Sequence, residues 1–240
     1  MDKSTVLLMP EKRDTEFEQL AAAWAGMGGQ VKRLGKFWVR DEEIAKYPIA
    51  IYGNQAFAMV LAQIYNLQLV SPNDAWIAEL DNKWTKRIVQ RKQIGQLAAT
   101  DFPIFIKPVV PKLFLAGIFP SISVFKEKTY GLAATEEILV SDIVDDICAE
   151  VRCFILDGEV KDMALYEGSA DLTNGESFVN EFIVGHKANL PQSVVVDIAY
   201  SKKLDWFVLE FNAPWGAGLN NCKAEKVLDC ILAATMNGRL

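Results

Sequence analysis

The chain has 240 residues, 51% of them hydrophobic, and a formal net charge of −6 at pH 7. That is enough apolar material for one large domain or two small ones, and the acidic balance excludes a phosphate backbone or an anionic membrane as the main partner, because non-specific phosphate binding needs a basic face. No apolar run approaches the roughly 20 residues of a membrane span, and "MDKSTVLLMPEKRD" is too short in apolar residues for a secretory leader. A soluble, cytoplasmic, globular protein is expected. Cys148, Cys153, Cys222 and Cys230 have no paired short spacing and are expected as reduced thiols; the single histidine, His186, excludes a zinc site built on several histidines.

In chain order, "STVLLMP" is a short apolar run stopped by proline, and "TEFEQLAAAWAGMGG" repeats apolar residues at helical spacing up to its glycines. "PIAIYG" reads as a buried strand, "NQAFAMVLAQIYN" as a helix capped by Asn54, and "LQLVSP" as another strand. Strands alternating with helices predict a parallel sheet, so residues 1–80 are expected to form a small α/β domain. Neither early strand is followed by the G-x-G-x-x-G spacing of a dinucleotide site. "DAWIAELDNKWTKRIVQRKQIGQLA" carries a helical pattern. Beyond it "FPIFIKPVV", "SISVFKEK", "TEEILVS", "EVRCFILDGEV", "SVVVDIAY" and "WFVLEFN" read as strands, and "CKAEKVLDCILAATMNG" as a closing amphipathic helix capped by glycine. Residues 81–240 are therefore expected to be α+β with much antiparallel sheet.

The informative stretch is "VLEFNAPWGAGL". On a strand, Val208, Glu210 and Asn212 share one face and Leu209 and Phe211 the other. If "SVVVDIAY" and "WFVLEFN" form a hairpin through "SKKLD", Asp197 and Glu210 are symmetric about the midpoint between Lys203 and Leu204 and sit side by side. Two carboxylates that close in a dry setting repel unless a cation lies between them. Asp197, Glu210 and the Asn212 carbonyl are hard oxygen donors suited to Mg2+; the competing reading is a solvent-facing strand edge with unpaired acids. Lys107 in "FIKP" and Lys112 five residues on are point charges able to neutralise phosphates, and Arg152 in "EVRCFILDG" is a fork for a phosphate or a carboxylate. Trp215 between turn residues is read either as a substrate wall or as core.

Taken together and in this order, "FIKP", "VSDIV", "EVRCFILDG" and "VVVDIAY…WFVLEFN" resemble the ATP-grasp superfamily. The Lys107–Lys112 pair with an arginine upstream is similar to its clade named for one arginine and two lysines. The resemblance covers residues 81–240 and implies an ATP-grasp fold preceded by a small parallel-sheet α/β domain, with ATP and Mg2+ as cofactors. It implies that Lys107 holds phosphates, that Ser141, Asp142, Ile143 and Val144 form the adenine hinge, and that Asp145 or Asp146 reaches the ribose. It also implies Asp197, Glu210 and Asn212 as magnesium ligands. For the first phosphate cation, "NKWTKR" offers Lys83, Lys86 or Arg87 near one helical face, with Arg87 preferred. Lys107, Lys112 and Arg152 are the implied catalytic cations, and the reaction is the joining of a small-molecule or peptide carboxylate to an amine through an acylphosphate. Only Gly117 stands where a glycine-rich loop is usual; Lys112 is expected to stand in for the loop's backbone donors, and "YEGSADLTNGESF" together with the N-terminal domain to recognise substrate. A non-catalytic nucleotide-binding regulatory module is the alternative.

Overall fold

A computed structural model describes residues 2–36 and 38–237. β1 (Val6–Pro10) is buried and leads through Asp14 into α1 (Thr15–Gly26). The Asp14 carboxylate accepts from the Phe17 N–H at 3.0 Å, satisfying one of the otherwise unpaired amides of the first turn. β2 (Gln30–Leu34) and β3 (Ile49–Ile51) flank β1 in a parallel sheet of order β2-β1-β3. β2 carries no apolar run, because "QVKRL" has only one face against the core. α2 (Gln55–Tyr65) is capped by Asn54, whose side chain accepts from the Phe57 N–H at 3.0 Å, and ends where Asn66 turns left-handed at φ 54°. β4 (Leu67–Leu69) does not extend this sheet.

The long helix expected across residues 75–99 does not form. Trp76–Glu79 is a 3-10 turn, α3 (Asn82–Thr85) is a single turn capped by Asp81, and Lys86 ends it with φ 52°. β5 (Val89–Gln93) then pairs antiparallel with β8, and this tertiary partner overrides the local helical spacing. β6 (Ile104–Pro108) and β7 (Gly117–Phe119) follow, and then α4 (Ile122–Lys128) where "SISVFKEK" reads as a strand. Val124 and Phe125 are adjacent yet both pack on one apolar cluster, which a helix end permits and a strand does not. With β8 (Glu137–Ser141) the second sheet has the order β5-β8-β6-β7.

β9 (Ile147–Leu156), β10 (Glu159–Gly168), α5 (Leu172–His186), β11 (Ser193–Ser201) and β12 (Asp205–Asn212) build a third, antiparallel sheet of order β10-β9-β11-β12. One face of it packs on α5 through Val179, Phe182 and Ile183; the other contributes Phe154 and Val195 to a core shared with α1 and with α6 (Ala224–Ala233). The closing helix stops at Ala233, and β13 (Thr235–Asn237) pairs with β4; the expected capping residue, Gly238, lies outside the described residues. Among the described residues no helix is long and apolar enough to cross a membrane.

Candidate active site

The hairpin β11–β12 pairs Asp197 with Glu210, the register that symmetry about Lys203 and Leu204 predicts. It reaches that register by a bulge. Ile198 pairs with Val208, so Leu209 is an extra residue on β12. Val208 therefore packs with Ile198 and Val196 on the α5 side of the sheet, and the expectation that it shares a face with Glu210 and Asn212 is corrected. The bulge turns two carbonyls out of the ladder, and Arg87 takes them: its Nη1 donates to Val208 O at 3.0 Å and its Nη2 to Leu209 O at 3.3 Å. The guanidinium also lies over the Phe207 ring, 5.0 Å from its centroid. Burial pulls the Arg87 pKa down to about 10, against the charge of Asp142, so it remains cationic at neutral pH. Lys83 lies instead over the Trp84 ring and Lys86 forms the left-handed helix end, so the three cations of "NKWTKR" do not share a helical face; of the three, only Arg87 lines the cavities described next.

Between the second and third sheets lie two contiguous small cavities. The larger, about 140 Å³, is walled by Val89, Phe105 and Leu139 from one sheet and by Leu209 and Phe211 from the other, with Lys107, Glu210 and Asn212 at its polar end. The smaller, about 90 Å³, is lined by Ser141, Asp142, Ile143 and Val144 with Phe105 and Ile118, an apolar slot floored by the expected hinge. Within that hinge, the Asp142 N–H donates to Ile88 O and the Asp142 carbonyl accepts from Ser141 Oγ. Asp145 and Asp146 turn away from the slot: Asp145 pairs with Lys203, and Asp146 accepts from Ser201 Oγ and the Lys203 N–H.

The carboxylates are neutralised by two cations. Lys107 on β6 reaches across to Glu210 on β12 at 2.5 Å, clasping the two sheets together over the larger cavity. Arg152 on β9 grips Asp197 through Nε at 2.8 Å and Nη2 at 2.6 Å, and its Nη1 donates to Gly218 O at 2.8 Å. Of the two uses open to Arg152, the fork takes a carboxylate. Asn212 Nδ2 ties the pairs together, donating to Asp197 Oδ2 at 3.1 Å and Glu210 Oε1 at 3.0 Å. Asp197 is fully buried, and burial pushes its carboxyl up to about 6 against the lowering pull of Arg152. Burial also works on Glu210, but the charge and hydrogen bond of Lys107, with the Asn212 amide, hold it below the ordinary value. For a divalent cation the donor set is chemically apt. Glu210 and Asn212 offer hard oxygens at the cavity wall, whereas both Asp197 oxygens are engaged by Arg152.

Lys112 does not line the cavity that Lys107 lines. It sits at φ 66° beyond Pro111 and lines a second cleft of about 480 Å³, between α2 and the loop after β12. Trp215 lines this cleft too, its indole N–H donating to Ser71 Oγ at 3.1 Å, while the same side chain packs on the core around Phe57. Asp74, which no sequence signal marks, lines both the larger of the two inter-sheet cavities and this cleft. "YEGSADLTNGESF" lies elsewhere: it is the end of β10 and the start of α5, and none of it lines the larger cavity or the cleft.

Two antiparallel sheets closing on a slot that ends in lysine, glutamate and asparagine define an ATP-grasp protein. Residues 84–230 match the model of an ATP-grasp domain, the second family of the clade named for one arginine and two lysines, and the chain belongs to that family. Among solved structures it is similar to D-cycloserine synthetase DcsG (TM-score 0.63, 11% identity, covering 95% of this chain and 98% of that one). It is also similar to the D-alanine–D-alanine ligase of Bacillus anthracis complexed with ATP (TM-score 0.57, 14% identity, 96% of each chain). A third is the ATP-grasp ligase PsnB complexed with precursor peptide PsnA2 and AMPPNP (TM-score 0.55, 12% identity, 98% of each chain). At these identities the likeness is one of fold. No curated protein matches the chain.

Proposed function

We propose that the protein is an ATP-dependent carboxylate–amine ligase that works through an acylphosphate, with the apolar slot at Ser141–Val144 taking the adenine and the Lys107–Glu210 end taking the phosphates. The observation that carries this reading is the Lys107–Glu210 ion pair bridging the two sheets. Together the cavities are small beside the roughly 300–1,000 Å³ of ordinary ligand sites, so a nucleotide enters by opening that clasp. Lys107 then exchanges one anion for another, leaving Glu210 for a phosphate, at little electrostatic cost. Glu210 and the Asn212 carbonyl are the residues that would hold Mg2+, joined by Asp197 only if Arg152 gives up one of its two contacts. When bound, the ion neutralises phosphate charge as the γ-phosphoryl moves.

The chain's own work is placement and charge. Arg87 fixes the bulge that presents Glu210 and Asn212 to the slot, and Arg152 fixes Asp197 behind them. A substrate carboxylate oxygen attacks the γ-phosphorus with ADP leaving, and an amine then attacks the acyl carbon with phosphate leaving. Both steps depend on held geometry and stabilised negative charge more than on a protein nucleophile. Lys112 faces the neighbouring cleft, where a negative charge of the substrate is its natural partner.

The regulatory alternative draws support from one feature: Gly117 lies inside β7, so no glycine-rich loop follows Lys107. ADP release decides between them. Acids and amines are screened with Mg-ATP, using Glu210→Ala as control; ADP release that needs both an acid and an amine supports the ligase, while Mg-ATP binding without ADP release under any pair refutes it.

A further inference from the structure

The first sheet has a switch point. β1 lies between β2 and β3 and all three strands are parallel, so the connections leaving β1 and β3 run to opposite faces and open a crevice at the carboxyl ends of these two strands. In open α/β sheets ligands bind at such crevices. Here the crevice is bordered by the loop after β12: the Gly53 N–H donates to Trp215 O at 2.9 Å, and the Tyr52 hydroxyl to Ala217 O at 2.9 Å. Gly53 permits the close turn into α2, since a Cβ there would stand 2.6 Å from the Phe57 ring. The 480 Å³ cleft opens at this point and shares Asp74, Pro111, Phe211 and Asn212 with the larger inter-sheet cavity. It therefore adjoins the Lys107–Glu210 end, where an acylphosphate would form.

Three features of its lining, which also holds Asn54, Gln55, Ser71 and Asn212, bear on a ligand. Asp74 makes no hydrogen bond or ion pair through its side chain among the described residues, and burial holds its carboxyl above the ordinary value while the Lys107 charge opposes this. Lys112 likewise pairs with no carboxylate among the described residues, Asp74 included. The same cleft has an apolar wall of Leu69, Trp215 and Met59, the last 56% exposed and so open to a ligand. One unpaired anion, one unpaired cation and an apolar wall in a single cleft are complementary to an ammonium, a carboxylate and a hydrocarbon side chain carried by one small molecule.

We propose that this cleft binds the amine co-substrate, that the co-substrate is an amino acid with an apolar side chain, and that Asp74 receives its ammonium while Lys112 receives its carboxylate. This rests on the ligase reading for its role but not for its binding. Held there, the nitrogen faces the phosphate end of the neighbouring cavity; after the ammonium gives one proton to solvent, its lone pair forms the C–N bond as the acyl C–O bond breaks, the electron pair leaving with phosphate, which takes up the nitrogen's second proton.

The test is equilibrium binding in the presence of Mg-AMPPNP, using L- and D-leucine, methionine and phenylalanine, with 4-methylpentanoate (leucine without its ammonium) and 3-methylbutylamine (leucine without its carboxylate). A charge-assisted contact of about 1.5–3 kcal/mol is about tenfold or more in affinity. At least one of the amino acids is therefore expected to bind, 4-methylpentanoate about tenfold or more weaker than leucine to the unsubstituted protein, and Asp74→Asn to abolish that difference. Lys112→Ala is expected to abolish the preference for leucine over 3-methylbutylamine. Binding by none of the amino acids, or discrimination that survives Asp74→Asn, overturns the proposal. ADP release measured alongside separates the two ideas: Asp74-dependent binding with no ADP release from any acid–amine pair sinks the ligase reading alone, and ADP release with other amines but no amino-acid binding sinks this one alone.

Discussion

Replacing Arg152 with methionine removes both hydrogen bonds to Asp197 and leaves a carboxylate that is fully buried between β9 and β12. Breaking one partner of a buried pair typically costs about 3–5 kcal/mol, because the remaining charge is neither hydrated nor matched. For a chain of this size about 1 kcal/mol moves the melting temperature by about 2 °C or more, so a fall of about 6–10 °C is expected near pH 8 by differential scanning calorimetry. The loss depends on pH, and its sign follows from the direction of the shift. The Asp197 carboxyl already lies high, at about 6, and loses its main lowering influence when Arg152 goes. A group whose folded pKa is raised contributes stability fully below its unfolded value of about 3.9, and that contribution is lost as pH rises through the folded value. The deficit of the variant is therefore smaller at pH 5 than at pH 8. The double variant Arg152→Met with Asp197→Asn recovers more than half of the loss at pH 8. A fall below about 2 °C, or an equal deficit at both pH values, refutes the claim that Asp197 is a dry charge held by Arg152.

Three further outcomes follow from the site. Lys107→Met removes a pair about one-third exposed on each side, and exposed ion pairs are worth about 1 kcal/mol or less; the ligand-free melting temperature is expected to change little, whereas the stabilisation by Mg-ATP expected of the unsubstituted protein in a thermal-shift assay is lost. Because Glu210 is held below its ordinary value chiefly by Lys107, its contribution in the unsubstituted protein persists above the unfolded pKa and is lost as pH falls through the folded one. Deleting Leu209 removes the bulge, the carbonyl that Arg87 Nη2 holds and a wall of both inter-sheet cavities, while Glu210 stays opposite Asp197 and Val208 opposite Ile198. The deletion variant is expected to keep its circular-dichroism spectrum and lose Mg-ATP stabilisation; retained stabilisation would show that the site does not need the bulge.

Much of the architecture is written locally. Asp14 and Asn54 cap the helices they precede, apolar runs mark the buried strands, and the hairpin around Lys203 lays the Asp197 strand beside the Glu210 strand, because caps and alternation act over a few residues. Where short segments depend on distant partners, the local pattern misleads: residues 89–93 become a strand through β8, and residues 122–128 a helix over the Phe119 and Phe125 cluster.

The site divides in the same way. Its chemistry, lysine, arginine, two carboxylates and an amide, is legible because residue type and strand parity are properties of the chain itself. Which cation meets which anion is not legible, nor is the bulge at Leu209, whose carbonyl is satisfied by an arginine 122 residues earlier. Asp74 and Lys112 share a cleft for the same reason. Partners so far apart in sequence meet only when three sheets pack together, and the need to pair buried polar groups selects among contacts that no local pattern ranks.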